Sequence, residues 1–448
     1  MTNRQTKTLE ASMIRLTVWT CLLLLALAGP AWSVPQIMTE YGDQTPWLGA
    51  DINAMGGSGA ALYRGGMSNI FNPAFLAVEK SHRFDAGVSL DMESEDRFQP
   101  LFDTFGSYVT DVAIASNQHS FWQSGFGLVL HDDKAGLPIS VGLSLADRYP
   151  YSYTFEEEVR NPDPSASADP PRDSIIENRT RKVTGTLRAA SLGVGVDVVD
   201  RLSFGAAVHY AFGTRTETQS RRFYNHPDYP MEGANGSAQF DMSGVNFTLG
   251  LRGRLSDRFE IGVAYENALT ARGDANFSYY EAYSDPSLDV TEEEVIPDSY
   301  YRYPQIFRGG FTFYPRTDPK TVFTMEAEYI PWEELQDSLR APEGEPTGLD
   351  KTWDVRIGLE HTFYNGVPLR FGFRHIDSYS DRDAGSTIFT GGTGFPLGSG
   401  LVSFSLEIMK ITSFQEHQFP YPEEYFVEPL ARVEDTRFRI ALGYTVNW

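Results

Sequence analysis

Apolar and polar residues alternate strictly through most of the chain after residue 81. Phe84, Ala86, Val88, Leu90 and Met92 alternate with Asp85, Gly87, Ser89, Asp91 and Glu93. Phe204, Ala206, Val208, Tyr210 and Phe212 alternate with Gly205, Ala207, His209 and Ala211, and the chain ends on Phe438, Ile440, Leu442, Tyr444, Val446 and Trp448 set against polar or small neighbours. Successive side chains of an extended backbone point to opposite faces, so each such run has one apolar and one polar face. The pattern predicts fourteen strands, at 83–93, 121–131, 138–148, 183–199, 201–214, 239–255, 258–270, 305–315, 321–331, 352–364, 367–376, 387–396, 401–413 and 436–448. Many have ten residues or more, enough for a tilted strand to cross a bilayer, whereas strands of soluble sandwiches are usually nearer five or six. A change of parity near Ser243-Gly244 predicts a bulge in the sixth strand.

The connections carry a second pattern. Those after even-numbered strands are short, such as Asp200, Ser256-Asp257, Asn365-Gly366 and Leu397-Gly398-Ser399-Gly400, and those after odd-numbered strands are long, acidic and proline-rich. Asn-Gly between two alternating runs is a strong hairpin signal. Short turns on one side and long loops on the other, with an even strand number, are the habit of bacterial outer-membrane barrels. The polar faces are rich in Gly, Ser and Ala, as a crowded lumen requires. The aromatic groups Tyr149-Pro150-Tyr151, Tyr300-Tyr301-Arg302-Tyr303, Tyr329 with Trp332, and Trp448 read as interfacial girdles. The predicted fold class is all-β, a 14-stranded antiparallel transmembrane β-barrel with an N-terminal hatch or plug.

The N-terminus divides into two parts. Residues 1–33 combine Arg4, Lys7 and Arg15 with an apolar core from Leu16 to Ala28, then Gly29-Pro30 and Ala31-Trp32-Ser33, the form of a cleaved secretory signal peptide. Residues 34–80 do not alternate; they carry Gly49, Gly56-Gly57, Gly59 and Gly65-Gly66 and end in Asn72-Pro73-Ala74. Small residues suit a segment folded tightly in a confined space. A lumen of fourteen strands is wider than one that wall side chains can fill, so this segment is expected to be the hatch, with residues 81–448 forming the barrel. The single Cys, Cys21, falls within the signal, which leaves no cysteine for a disulfide or a cysteine-based zinc site. With 60 acidic and 37 basic residues the formal charge is −23, which excludes a general nucleic-acid binder.

The glycine-rich stretch ending in Asn72-Pro73-Ala74 resembles the N-terminal hatch of the FadL-type transporters of long-chain fatty acids and other hydrophobic compounds. The stretches Arg258 to Tyr265, Trp353 to His361 and Leu369 to Arg374 resemble strands of the same family. The resemblance covers the mature chain. It implies a fourteen-stranded barrel with a hatch, capture of a hydrophobic solute at the outer face, hatch rearrangement and lateral exit through the wall. It also admits a second branch, PorV-like proteins that serve a protein secretion system by holding cargo at the surface. The family's carboxylate-holding basic residues find no matching local motif here.

No catalytic, metal or cofactor constellation emerges from the residues. The eight His are scattered and lack the zinc-helix spacing, and Gly57-Ser58-Gly59 and Gly398-Ser399-Gly400 lack the spacing of a nucleophile elbow. A barrel-embedded hydrolase stays open as an alternative, with His209 and His361 as its candidates. On the polar parity, Asp354, Arg356 and Glu360 face Arg370 and Arg374 on the next strand, which suggests an ion-paired interior in which Arg370 or Arg374 contacts the hatch or a ligand. The expected partners are hydrophobic small molecules, outer-membrane lipids and the barrel assembly machinery, the last through the C-terminal strand ending in Trp448.

Overall fold

The computed structural model describes residues 40–43, 49–102, 105, 107–132, 138–161, 170–171, 174–224, 231–316, 320–340, 347–381, 384–419 and 430–448. The expected signal peptide, residues 1–33, lies outside them. Among the described residues fourteen antiparallel strands form a closed barrel. They are β1 (Arg83–Phe102), β2 (Tyr108–Asp132), β3 (Ile139–Arg160), β4 (Ile175–Val199), β5 (Leu202–Phe223) and β6 (Met231–Ser256). Next come β7 (Phe259–Glu266, continued as Leu269–Tyr283), β8 (Val290–Tyr303, continued as Ile306–Phe313), β9 (Thr321–Ile330) and β10 (Thr352–Thr362). The last four are β11 (Pro368–Ile376), β12 (Ser386–Leu397), β13 (Gly400–Glu416) and β14 (Leu430–Asn447). Each strand pairs with its sequence neighbour, and β1 pairs with β14 from Arg83↔Asn447 to Phe98↔Arg432, which closes the ring.

The strand number and order match the sequence pattern, but the lengths do not. Much of what reads as long loop is strand. β1, for example, runs nine residues past its expected end, and β2 begins thirteen residues early. Beyond the membrane both faces of a strand meet water or polar neighbours, so the alternation that marks a strand disappears while its backbone ladder continues. The outer face of β5 shows the change directly: Phe204, Val208, Tyr210 and Phe212 are exposed, and Thr214, Thr216, Thr218 and Ser220 follow.

Two further expectations are corrected. There is no bulge at Ser243-Gly244, because β5 pairs with β6 without a shift from Leu202↔Gly253 to Arg222↔Gly233. The parity appears to change because the lumen itself becomes apolar there. Phe240 and Met242 point inward and are buried, on the same face as Asn246 and Thr248. Nor do Tyr149, Tyr151, Tyr301, Tyr303 and Trp332 belong to a girdle, since all five are buried. The exposed aromatics of the outer face include Trp122, Trp353 and Trp448, and Tyr329 packs on Trp353 with ring centroids 4.8 Å apart.

The segment Gly49–Glu79 lies inside the barrel toward the end that carries the short turns and the C-terminus. It forms α1 (Ala50–Asn53), α2 (Ser68–Phe71) and two 3₁₀ turns, Gly65–Met67 and Pro73–Val78. Such short helices have little stability alone; here nearly every residue is buried against the wall. Ile52, Met67, Ile70 and Phe71 pack with Ala146 of β3. The wall meets this segment with glycine. Gly195, Gly205 and Gly250 are register partners on β4, β5 and β6, and Gly358 faces Gly372 on β10 and β11. A Cβ on Gly205 would lie 2.2 Å from the carbonyl carbon of Pro73, and one on Gly250 would lie 2.0 Å from Asn72 Oδ1.

Candidate functional site: the lumen and a gap in its wall

Asn72, Pro73 and Ala74 anchor the inner segment. Asn72 Oδ1 accepts from the Ala74 amide at 3.1 Å, capping the turn that Pro73 begins. Asn72 Nδ2 donates to the Ala60 carbonyl at 2.8 Å and to the wall carbonyls of Leu251 and Val263 at 3.1 and 3.3 Å. One amide side chain thus holds its own turn, the rest of the segment and the β6–β7 seam. Ala74 is fully buried, and the Pro73–Ala74 backbone lies against Gly205.

Polar and charged residues of the neighbouring strands β8 and β9 add to this hold. Glu326 Oε2 accepts from the amides of both Gly59 and Ala60 at 2.6 Å. Arg308 Nη1 donates to the Ile70 carbonyl at 3.0 Å, and Thr312 Oγ1 to the Ala61 carbonyl at 2.6 Å. Arg356 bonds Glu326 at 2.8 Å and also reaches Glu328 and Asp354. The ion-paired interior expected between β10 and β11 is present: Glu360 opposes and bonds Arg370 at 2.6 Å, while Arg374 opposes Arg356 and bonds Glu407 on β13 at 3.3 Å. Arg374 lies against the inner segment, its Nη1 3.0 Å from where a Gly57 Cβ would stand. Arg370 bonds Glu360 and Ser403, and its charge also acts on Asp51 of the inner segment.

Glu79 fastens the segment where it enters β1. Its carboxylate accepts from the Tyr63 hydroxyl at 2.6 Å, the Ser81 hydroxyl at 2.9 Å and the amides of Lys80 and Ser81 at 3.0 and 3.1 Å. Burial pushes this carboxyl up, but the hydrogen bonds to its charged form outweigh burial and hold it below the ordinary value of 4.5. A depressed folded-state value contributes stability that is complete above the ordinary value and is lost as pH falls through the folded one. Amide exchange at Lys80 and Ser81, corrected for its intrinsic pH dependence, is therefore expected to accelerate as pH falls below 4.5. Glu79→Gln should remove that acid-specific acceleration.

On the long-loop side of this charged layer lies an aromatic chamber. Tyr149 stacks on Tyr303 with centroids 4.1 Å apart, Tyr301 meets Phe240 edge-on at 5.0 Å, and Trp332 packs on Tyr379 at 4.7 Å. The N-terminal residues 40–43 reach into it. The Tyr41 hydroxyl donates to Asp337 at 3.0 Å, its amide donates to the Tyr379 hydroxyl at 3.1 Å, and Asp43 pairs with Arg437 at 2.6 Å. A cavity of about 180 Å³, with Tyr41, Phe240, Phe277 and Tyr301 on its aromatic side and Arg215, Glu217, Asp337 and Arg340 on its polar side, opens toward a larger trough of about 1020 Å³ formed by β5 to β8 outside the membrane level. An apolar cavity of roughly 150 Å³ is enough for benzene.

The wall beside the chamber is not continuous. β2 and β3 pair only from Gly125↔Ala146 to Asp132↔Ile139, although β2 stays on β1 as far as Tyr108 and β3 stays on β4 as far as Arg160. The strands meet again farther out, where the Glu156 amide donates to Asn117 Oδ1 at 2.8 Å. Between these points residues 119–124 and 147–153 share no ladder, which leaves a gap. Two features of β3 account for it: a register shift between Asp147 and Tyr149, and Pro150, which has no N–H to donate. The gap's lower edge, Ala146, touches the inner segment, and Tyr149, Tyr151 and Tyr153 stand behind it. Tyr149-Pro150-Tyr151 was the available sequence signal, since proline within a strand marks a place where pairing fails.

The His candidates fall elsewhere. His209 is buried with its ring nitrogens 2.8 Å from Ser191 Oγ and 2.8 Å from Thr248 Oγ1, a satisfied polar position on the lumen wall. His361 lies near the short-turn end, 2.8 Å from Thr321 Oγ1.

A closed fourteen-stranded barrel with an inner plug and an interrupted wall defines a plugged transmembrane β-barrel. No protein-family model matches the sequence, and no curated protein does. Solved structures do match. A Pseudomonas aeruginosa FadL homologue aligns with a TM-score of 0.62 at 13% identity, covering 91% of this chain and 99% of that one. The Pseudomonas putida toluene transporter TodX aligns with a TM-score of 0.60 at 13% identity over 94% and 100% of the two chains. The Ralstonia pickettii toluene transporter TbuX gives 0.58 at 13% over 90% and 99%. The fold is that of the FadL-type barrels, as the Asn72-Pro73-Ala74 resemblance implies.

Proposed function

We propose that this protein is an outer-membrane channel for small hydrophobic compounds, exported with a cleaved signal peptide, in which residues 49–79 act as a fixed hatch. The solute enters the outer trough, rests in the aromatic chamber and leaves sideways through the β2–β3 gap into the bilayer. The observation that carries this reading is the gap's position, beside the chamber and directly outward of the hatch. Straight passage meets buried ion pairs and hatch backbone, whereas sideways passage meets tyrosine faces and the short Gly42–Asp43 segment, whose Asp43 amide donates to the Pro150 carbonyl at 2.7 Å. Burial of an apolar solute in the chamber contributes about 25 cal/mol per Å². The chamber's size favours a compact ring, and the neighbouring fold includes proteins described as toluene transporters. Long-chain fatty acids, the solutes that the sequence resemblance brought in, are the second class to test.

The test is a closable gap. Ser124 and Asp147 are the next opposed residues beyond the last ladder pair, Gly125↔Ala146, and the Ser124 amide lies 3.4 Å from the Asp147 carboxylate. Ser124→Cys with Asp147→Cys is expected to form a disulfide across the gap in a mature chain with no other cysteine. Uptake of labelled toluene and of labelled oleate into proteoliposomes would be compared. Oxidation should cut uptake at least tenfold and reductant restore it; undiminished uptake by the oxidised pair would rule out this exit. No uptake by the unmodified protein, with co-purification of a secreted protein, would instead favour the secretion-partner reading.

A further inference from the structure

The trough that leads to the chamber has an uneven charge. Its basic side chain, Arg221, is bound to Glu177 at 2.6 Å. Its carboxylate nearest the chamber, Glu217, is held by Arg181 at 2.8 Å and Arg215 at 2.7 Å. The remaining carboxylates, Glu281 on β7 and Glu292, Glu293 and Glu294 on β8, have no basic partner among the described residues. Glu281 accepts only from the hydroxyls of Tyr279 and Tyr283. The three consecutive glutamates occupy an exposed strand that is paired to β7 on one edge, from Glu281↔Val290 to Ala275↔Ile296. Glu292 and Glu294 share a face with Glu281 and with their register partners Tyr279 and Phe277, and they stand over a trough with Met231, Ala234, Ala238 and Phe277 among its lining, while Glu293, opposite Ser278, points to the other face; an apolar floor thus lies under a negative rim.

We propose that the Glu292–Glu294 strand is a charge filter that admits neutral hydrophobic solutes and repels carboxylates. This deepens the proposed function and rests on it. Three unneutralised carboxylates on the face of one opening, Glu281, Glu292 and Glu294, give a local potential that an anion must climb and a neutral solute does not feel, and a cleft with low-dielectric walls concentrates that field. The filter sets the rate of encounter more than the affinity in the chamber, because the rim is exposed to solvent. It also assigns a role to part of the acidic excess of the outer segments that the barrel itself does not require.

The test uses the purified full-length protein with the outer-face tryptophans Trp122, Trp353 and Trp448 replaced by Phe, and two probes of one shape, 4-bromotoluene and 4-bromobenzoate, whose bromine quenches tryptophan fluorescence on arrival near Trp332. Association rates are measured by stopped flow. At low salt the neutral probe should associate about tenfold or more faster than the anion. Raising the salt to shorten the Debye length should narrow that ratio. The variant E292Q/E293Q/E294Q should bring it close to one at every salt concentration. A ratio that the triple variant leaves unchanged, or one that does not respond to salt in the unmodified protein, overturns the filter while the channel reading stands. Absence of quenching by either probe overturns both.

Discussion

Glu326→Ala is expected to release the hatch while leaving the barrel closed. This carboxylate is almost wholly buried and has three tasks: it accepts from the Gly59 and Ala60 amides, each at 2.6 Å, and it pairs with Arg356 at 2.8 Å. Removing one member of a buried ion pair costs about 3–5 kcal/mol, and each orphaned amide adds about 1–3 kcal/mol, though such terms do not sum simply. The wall does not depend on Glu326, because β9 keeps its ladders to β8 and β10. The loss therefore falls on the segment Gly49–Glu79. Amide exchange there should accelerate by roughly a hundredfold or more, the equivalent of about 3 kcal/mol. Heat-modifiable migration of the barrel on gels should persist, and ion conductance in planar bilayers should rise. Glu326→Gln, which keeps one acceptor oxygen, should fall between the two. Wild-type exchange rates in the alanine variant would show that the hatch is held by other contacts.

What could be read from the sequence followed the physics of each layer. The membrane band was legible because lipid outside and a crowded lumen inside force strict alternation, and the Asn365-Gly366 and Ser256-Asp257 turns divided it into strands. The bond between Glu360 and Arg370 was legible for the same reason, since adjacent strands with known faces place opposite charges together. Three things were not. The outward extensions of β4 and β5 carry polar residues on both faces, so nothing in their pattern separates strand from loop; that of β3 keeps the alternation in Tyr149, Tyr151, Tyr153 and Phe155, but on the lumen face. The chamber tyrosines read as girdle from sequence alone, because an aromatic at the end of an alternating run looks the same whether it faces lipid or lumen. The gap between β2 and β3 is an absence of pairing, and only Pro150 hinted at it.

These corrections alter the lumen more than the wall. Moving Tyr149, Tyr151, Tyr301 and Tyr303 from outside to inside converts a uniformly polar lumen into three layers. The outer trough is wide and acidic, the chamber is rich in aromatic side chains with a few charged groups at its edge, and the floor is a charged network in which Arg308, Arg356 and Arg374 all have carboxylate partners. A hydrophobic solute gains contact on leaving water for the chamber and would lose it on entering the floor. On the proposed route, the order of the layers would turn the path sideways at the depth where the ladder between β2 and β3 stops.

The glycine lining allows packing to be tested apart from hydrogen bonding. Gly262→Val and Gly372→Val are each expected to displace the hatch with every polar anchor still present. A Cβ at Gly262 would stand 1.9 Å from the Ala60 carbonyl oxygen, and one at Gly372 would stand 2.0 Å from the Gly56 amide nitrogen. Both obstacles are backbone, so no side-chain rotation relieves them, and the hatch or the wall must shift by about an ångström or more to restore van der Waals separation. Overpacking of this kind costs about 1–3 kcal/mol. The closed ladder makes the wall the stiffer partner, so the hatch should move, which breaks the Gly56 bond to Thr390 and the Gly59–Ala60 bonds to Glu326. Both variants should therefore pass ions in planar bilayers and lose exchange protection over residues 49–79. Gly309→Val is the control: it lies on β8, its added Cβ meets nothing within 4 Å, and a β-branched residue suits a strand. Conductance in the control equal to that of the other two would attribute the leak to strand disruption. A silent control beside two leaking variants would show that the absence of side chains along the inner wall is what lets the hatch close the barrel.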